Sequence, residues 1–243
     1  MNLAIDIGNT RMKIGVFDGD QLVMKTVCET VEPEKIIELA TNHNVENIIL
    51  STVAKGLNKT LIKILKEKYF FLELDEHTPL PVKNLYKTPA TLGKDRLAAI
   101  VGAQSLSPGK NCLVIDAGSC ITYDILMADG RFLGGNISPG VKMRLKAMHT
   151  FTENLPLPTD TDTDFNWGNS TETALLNGAR LGTLLEMQGF IDLCANEFGK
   201  TNVFLTGGDA ESFANKFKKK IFVHSNLVLI GLNKILNHNV EKK

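Results

Sequence analysis

The chain carries no excess of charge: 27 Lys and Arg offset 27 Asp and Glu. That balance excludes a generally basic nucleic-acid binder and a highly charged disordered chain. No apolar stretch approaches the ~20 residues of a membrane span. Asp6 and Gly8 interrupt the apolar N-terminal run too early for a secretory leader. The four cysteines, Cys28, Cys112, Cys120 and Cys194, form no C-x-x-C pair. In a chain of 243 residues they read as reduced thiols of a cytoplasmic protein. The histidines show no H-E-x-x-H or paired spacing, so no structural zinc is expected. Two nucleotide signatures are missing as well: G-x-x-x-x-G-K-[ST], and G-x-G-x-x-G after a strand.

What remains is an ordinary globular composition, 43% apolar and 22% charged, organised by a repeat. Leu3–Asp6, the alternating Met12, Ile14 and Val16, and Leu22–Val27 read as strands, the last two joined at Asp18-Gly19. Pro33 opens a helix; Asn47–Val53 is a buried strand, Leu57–Lys68 a helix and Tyr69–Leu74 a strand. Glu76–Leu92, with three prolines, reads as a loop, and Lys94–Ser105 as a helix. Then the opening pattern returns. Leu3-Ala4-Ile5-Asp6-Ile7-Gly8 has its counterpart in Leu113-Val114-Ile115-Asp116-Ala117-Gly118, and the next strand again ends in Asp-Gly, Asp129-Gly130. Further on come a strand Arg131–Ile137, a helix from Pro139 to His149, a long helix capped by Asn169 with Glu172 and ending near Phe198, a strand Val203–Thr206, and a closing helix Leu227–Leu236. A repeat of this kind predicts two similar α/β domains, 1–109 and 110–243, with the two D-x-G turns lining a cleft between them.

A glycine after a buried strand lets backbone approach a ligand and leaves N–H groups for phosphate oxygens. The preceding Asp can hold a cation. Asn9, Thr10 and Ser119 add polar donors, and Lys13 a point charge. A single D-x-G is most often a plain β-turn. Two at corresponding places in two repeats favour a nucleotide-phosphate clamp. Gly207-Gly208 after a strand is a weaker signal for an adenine or ribose contact.

The residues Asp6-Ile7-Gly8-Asn9-Thr10 with Lys13 resemble the first phosphate motif of the type III pantothenate kinases, of the acetate and sugar kinase/Hsp70/actin superfamily. Gly93-Lys94-Asp95-Arg96 is similar to that family's G-x-D-R. Asp116–Asp124, Gly134–Gly140 and Leu205–Gly208 follow in the family's order. Ser119 replaces a usual Thr and keeps the hydroxyl; Cys120 replaces Ala and adds bulk beside Asp116. The resemblance implies two duplicated ribonuclease H-like (actin-like ATPase) domains. It implies phosphorylation of pantothenate by ATP, the first step toward coenzyme A. In that reading Asp95 is the general base, at the start of a helix where the dipole stabilises negative charge. Arg96, Gly93, Lys94 and Tyr86 meet the substrate. Asp6 helps hold Mg²⁺; Gly8, Asn9, Thr10, Lys13 and Ser119 meet ATP. Asp116 binds a monovalent cation, K⁺ or NH4⁺. Thr171 reaches the substrate across a homodimer interface. Plainer readings stand beside several of these: a helix-cap hydroxyl for Thr171, a surface ion pair for Arg96, a loop anchor for Tyr86.

Other features carry less. Asp160, Asp162 and Asp164 alternate like a Ca²⁺ loop, but Phe165 and Thr171 stand where Gly and Glu are needed. Lys216, Lys218, Lys219 and Lys220 read as a solvated helix end. Gly178-x-x-x-Gly182 offers a flat helix face, within the domain or for a dimer. A different small-molecule kinase would lack G-x-D-R before the second domain. A nucleotide switch would need insertions, and a regulatory relative should have lost Asp6 or Asp95.

Overall fold

A computed structural model of the chain describes residues 1–8, 11–52, 59–158 and 166–242. Central strands are apolar on both faces, while edge strands alternate, as burial requires. The opening strand β1 (Asn2–Ile7) is buried throughout. It pairs antiparallel with β2 (Met12–Asp18), which pairs with β3 (Gln21–Cys28), an alternating edge strand. The helix α1 (Pro33–Asn42) crosses over to β4 (Asn47–Thr52), parallel to β1. A second crossover, α2 (Lys59–Lys68), leads to β5 (Phe70–Glu73), parallel to β4. The order is β3-β2-β1-β4-β5. Leu3, Ile5, Ile14, Ile36, Ile48 and Leu65 meet in its core.

The segment expected as a loop holds a two-residue strand, β6 (Lys83–Asn84), too short to leave a period in the sequence. It runs parallel to Arg131–Phe132, with Lys83 N donating to Gly130 O at 2.9 Å. The helix α3 (Lys94–Leu106) follows. Next come β7 (Asn111–Ala117), β8 (Cys120–Leu126) and β9 (Arg131–Pro139). The helix expected from Pro139 begins later, as α4 (Val141–Thr150). Pro139 ends β9, and Gly140 stands at the cap. The long helix is α5 (Thr171–Phe198). Its cap is Ser170, whose Oγ accepts from Thr173 N, while Ser170 N donates to Thr173 Oγ1. The expected pair Asn169 and Glu172 is thus off by one residue: the reciprocal box closes with a threonine at its third position. The chain ends with β10 (Thr201–Thr206), α6 (Ala210–Phe213), β11 (Phe222–Val223) and α7 (Leu227–Val240). The neighbours β11-β10-β7-β8-β9 reproduce β5-β4-β1-β2-β3 in the same order. The duplicated ribonuclease H-like plan is therefore legible strand by strand.

The chain forms two compact units. Unit 1 comprises Met1–Lys110, Ile125–Gly134 and Asn226–Lys243; unit 2 comprises Asn111–Asp124 and Gly135–Ser225. The packing of α7 accounts for the last segment of unit 1. Gly231 lies against the backbone of Ala98 and Gly102, so two helices approach closely along small residues. Asn2 Nδ2 donates to Asn233 Oδ1 at 2.8 Å, and Asn233 Nδ2 to Gly19 O at 2.9 Å, satisfying a buried amide. No helix among the described residues is long and apolar enough to cross a membrane.

Candidate active site

In unit 1 the site begins with Asp6, at the carboxyl end of β1. Register places it beside Lys13 on β2 and Ser51 on β4. Ser51 Oγ donates to Asp6 Oδ1 at 3.1 Å. Asp6 is 7% exposed. Burial pushes its pKa up to about 6, and the negative charge of Asp95 pushes the same way; Lys13 and Ser51 oppose them. Asp6 therefore feels Asp95, 89 residues further along the chain, as a like charge within one unit.

Asp95 stands in the first turn of α3. Its Oδ1 accepts from Arg96 N at 2.8 Å. A Cβ at Gly93 would lie 2.5 Å from that same oxygen, so the missing side chain makes room for the carboxylate. Arg96 is not a surface ion pair. It is 5% exposed, and its guanidinium carbon lies 5.4 Å from the centre of the Tyr86 ring. Tyr86 in turn stacks on Phe132 at 6.3 Å. Lys94 Nζ approaches Glu76 Oε2 at 3.9 Å.

Unit 2 holds the second turn. Asp116, near the end of β7, is in register with Thr206 of β10, as Asp6 is with Ser51 of β4. Each Asp thus has a hydroxyl residue alongside. This repeated hydroxyl is a signal the sequence held and that pattern reading missed. In both turns the glycine N–H closes the turn itself. Gly8 N donates to Arg11 O at 3.1 Å and Gly118 N to Cys120 O at 3.0 Å. Each glycine's own N–H is thus engaged inside its turn. Gly140 N donates to Ser119 O at 3.1 Å, and a Cβ at Gly140 would strike the carbonyls of Gly118 and Ser119. Ser119 and Cys120 are exposed. Asn9 and Thr10 lie outside the described residues, as do Asp160, Asp162 and Asp164.

Thr171 is exposed at the start of α5. With Ser170 and Thr173 making the cap, the cap role for the Thr171 hydroxyl falls away. A cavity of about 980 Å³ in unit 2 is lined by α4, α5 and the stretch after Gly207, including Val141, Lys142, Arg180, Gly208, Asp209 and Lys216. The basic run is not a helix end, since α6 stops at Phe213. Instead Lys216 lines the cavity, Lys219 pairs with Asp192 at 2.7 Å and Lys220 lies over Phe222. Among the described residues no group of three His, Cys, Asp or Glu could hold a metal by itself. The Asp6–Asp95 pair nevertheless suits a divalent cation. One carboxylate is buried and like charge crowds it, with Lys13 opposing from the neighbouring strand.

Residues 2–193 match the type III pantothenate kinase family. A type III pantothenate kinase of Bacteroides fragilis is 45% identical over 98% of each chain. Among solved structures, a Campylobacter jejuni protein named for the Baf family of transcriptional activators shares 24% identity at a TM-score of 0.61, covering 98% of this chain and 99% of that one. A ROK hexokinase of Thermus thermophilus shares 15% at a TM-score of 0.53, covering 98% and 99%. At these identities the two structures speak for the fold alone, and the fold agrees. The sequence match extends over the D-x-G turns and G-x-D-R. The chain belongs to the type III pantothenate kinase family.

Proposed function

We propose that the chain transfers the γ-phosphoryl group of ATP to the terminal hydroxyl of pantothenate, giving 4′-phosphopantothenate, the first step of coenzyme A biosynthesis. The observation that carries this reading is the Asp6–Asp95 pair, with Asp95 seated over Gly93 beside the buried guanidinium of Arg96. Asp95 accepts the proton of the attacking hydroxyl. A bond forms from that oxygen to phosphorus while the bond to the ADP oxygen breaks. Arg96, held by Tyr86, forks onto substrate oxygens, with Gly93 and Lys94 beside it. Asp6 would hold Mg²⁺, which when bound would supply charge neutralisation to the ATP phosphates. Gly8, Asn9, Thr10, Lys13 and Ser119 position those phosphates. The two turns belong to the two copies, 1–109 and 110–243, of one duplicated domain. Asp116 would help hold a monovalent cation, K⁺ or NH4⁺. The cavity beside Gly208 has the size and basic rim to take the nucleoside part of ATP.

The α5 face supports a homodimer. Gly178, Gly182, Leu185, Gly189 and Leu193 recur at helical spacing. A Cβ at any of the three glycines would meet nothing within 4 Å, and Leu185 is 62% exposed. A second copy seated there would bury an otherwise uncharged stripe and bring Thr171 toward the partner's substrate. Leu185→Lys is expected to give monomers in sedimentation. A dimer that persists would remove this face from the interface.

The test of the whole reading is turnover of a panel of hydroxyl acceptors with ATP, Mg²⁺ and K⁺. Phosphopantothenate is the expected product. No turnover of pantothenate, or preference for a hexose, would overturn the assignment.

A further inference from the structure

One polar cluster in unit 2 takes no part in the reaction described above. Glu186, on α5, accepts from three other elements. Tyr123 Oη of β8 donates to its Oε1 at 2.7 Å, and Ser138 Oγ of β9 donates to the same oxygen. Arg144 of α4 donates from Nη2 to Oε2. Arg144 also donates from Nε to the carbonyl of Pro139 at 2.8 Å. Burial pushes the Glu186 carboxyl up, but the bonds from Arg144, Ser138 and Tyr123 outweigh it and hold it below the usual carboxylate range. Burial and the same glutamate push the Tyr123 phenol up, so it stays a donor. The Tyr123 ring also packs on Phe190 at 4.2 Å, one helical turn beyond Glu186.

The bonds converge on one corner, Ser138-Pro139-Gly140. Glu186 holds Ser138 directly and Pro139 through Arg144. The next residue, Gly140, bonds to Ser119 O and lies against the Gly118 carbonyl. A rigid path therefore runs from the α5 carboxylate to the second D-x-G turn. An apolar residue would fill the same space, but it would fix neither direction nor distance. Charge-assisted bonds from three elements fix both.

The geometry points to Glu186 as a positioning residue that holds the Gly118-Ser119 turn in the shape that receives ATP phosphates. This role rests on the placement of ATP at Ser119 given under the proposed function. Glu186 touches no substrate and acts through Ser138, Arg144 and Gly140.

Two readouts test it on the full-length protein. In Glu186→Gln, the KM for ATP should rise about tenfold or more, the scale of a lost charge-assisted bond. The KM for pantothenate should stay within about twofold. Combined with Ser119→Ala, the two effects on the KM for ATP should fall well short of multiplying. Independently of activity, amide hydrogen exchange at Gly118 and Gly140 should accelerate while Val203–Leu205 of β10 keeps its protection. If Glu186→Gln fails to fold, Tyr123→Phe keeps the ring on Phe190, removes one donor, and should shift the same quantities by about two- to threefold. An unchanged KM for ATP in an active enzyme overturns the proposal. So does exchange that rises evenly through unit 2, the mark of general loosening. Local acceleration in an enzyme that does not phosphorylate pantothenate would keep the brace and remove the assigned reaction.

Discussion

The two D-x-G turns come from one duplicated pattern, yet their surroundings differ. Asp6 is buried, has Lys13 across the strand pair, and feels Asp95 as a neighbouring charge. Asp116 is only half-buried, and the turn after it is covered by the backbone of Gly140. Both keep a hydroxyl residue in register, Ser51 and Thr206. The shared strand pattern fixes where each Asp ends up. What lies beside it decides the task. The first turn carries charge strained toward a cation and sits with the proposed base. The second, in the proposed reading, is a braced platform for phosphates.

The largest expected difference is at the first turn. Asp6→Asn should lower kcat by about a hundredfold or more, as loss of a charge that positions the phosphates predicts. The same change should stabilise the metal-free protein. A carboxyl raised from 3.8 to about 6 on folding favours the folded state below about pH 3.8 and loses that contribution as pH rises through 6. At pH 8 in EDTA the asparagine variant should be more stable by about 1–3 kcal/mol. At pH 4 the gain should vanish. Melting curves at the two pH values check this, and a variant less stable at pH 8 would contradict a carboxylate penalised by burial and like charge.

At the second turn the effect should be smaller and different in kind. Asp116→Asn should reduce turnover about tenfold, abolish the response to added K⁺, and leave the pH 8 melting point without a rise. A rise like that of Asp6→Asn would mean the two turns are equivalent. Smallest of all, Ser119→Ala should raise the KM for ATP about three- to tenfold with kcat nearly intact, since one hydroxyl contact is lost. A collapse of kcat there would move chemistry into the second turn.

Much of this was legible in the chain because it is written locally. The strands around Asp6 and Asp116 are short apolar runs ending in glycine, and their repetition announced the duplication. Gly93, two residues before Asp95, marked the start of α3. Other features have no local signature. The strand β6 is two residues long. The cap at Ser170 competes with Asn169 next door, and both are good capping residues. Arg96 is charged, and its burial beside the ring of Tyr86 emerges only from the packing of α3. Glu186 looks like any polar residue on a long helix. Its partners are 42, 48 and 63 residues away in the chain. Likewise, nothing in the apolar run of α7 says that it packs on α3. Pattern reading finds elements and turns, whereas long-range polar contacts emerge only from the fold.

The most direct measurement is phosphopantothenate formation by the wild type and Asp95→Asn side by side, with nucleotide binding followed on the same samples. The account predicts product from the wild type. It predicts a loss of about 10²–10⁴ in kcat for the variant, the range of general-base catalysis, with ATP affinity unchanged. Turnover by Asp95→Asn at the wild-type rate would contradict it.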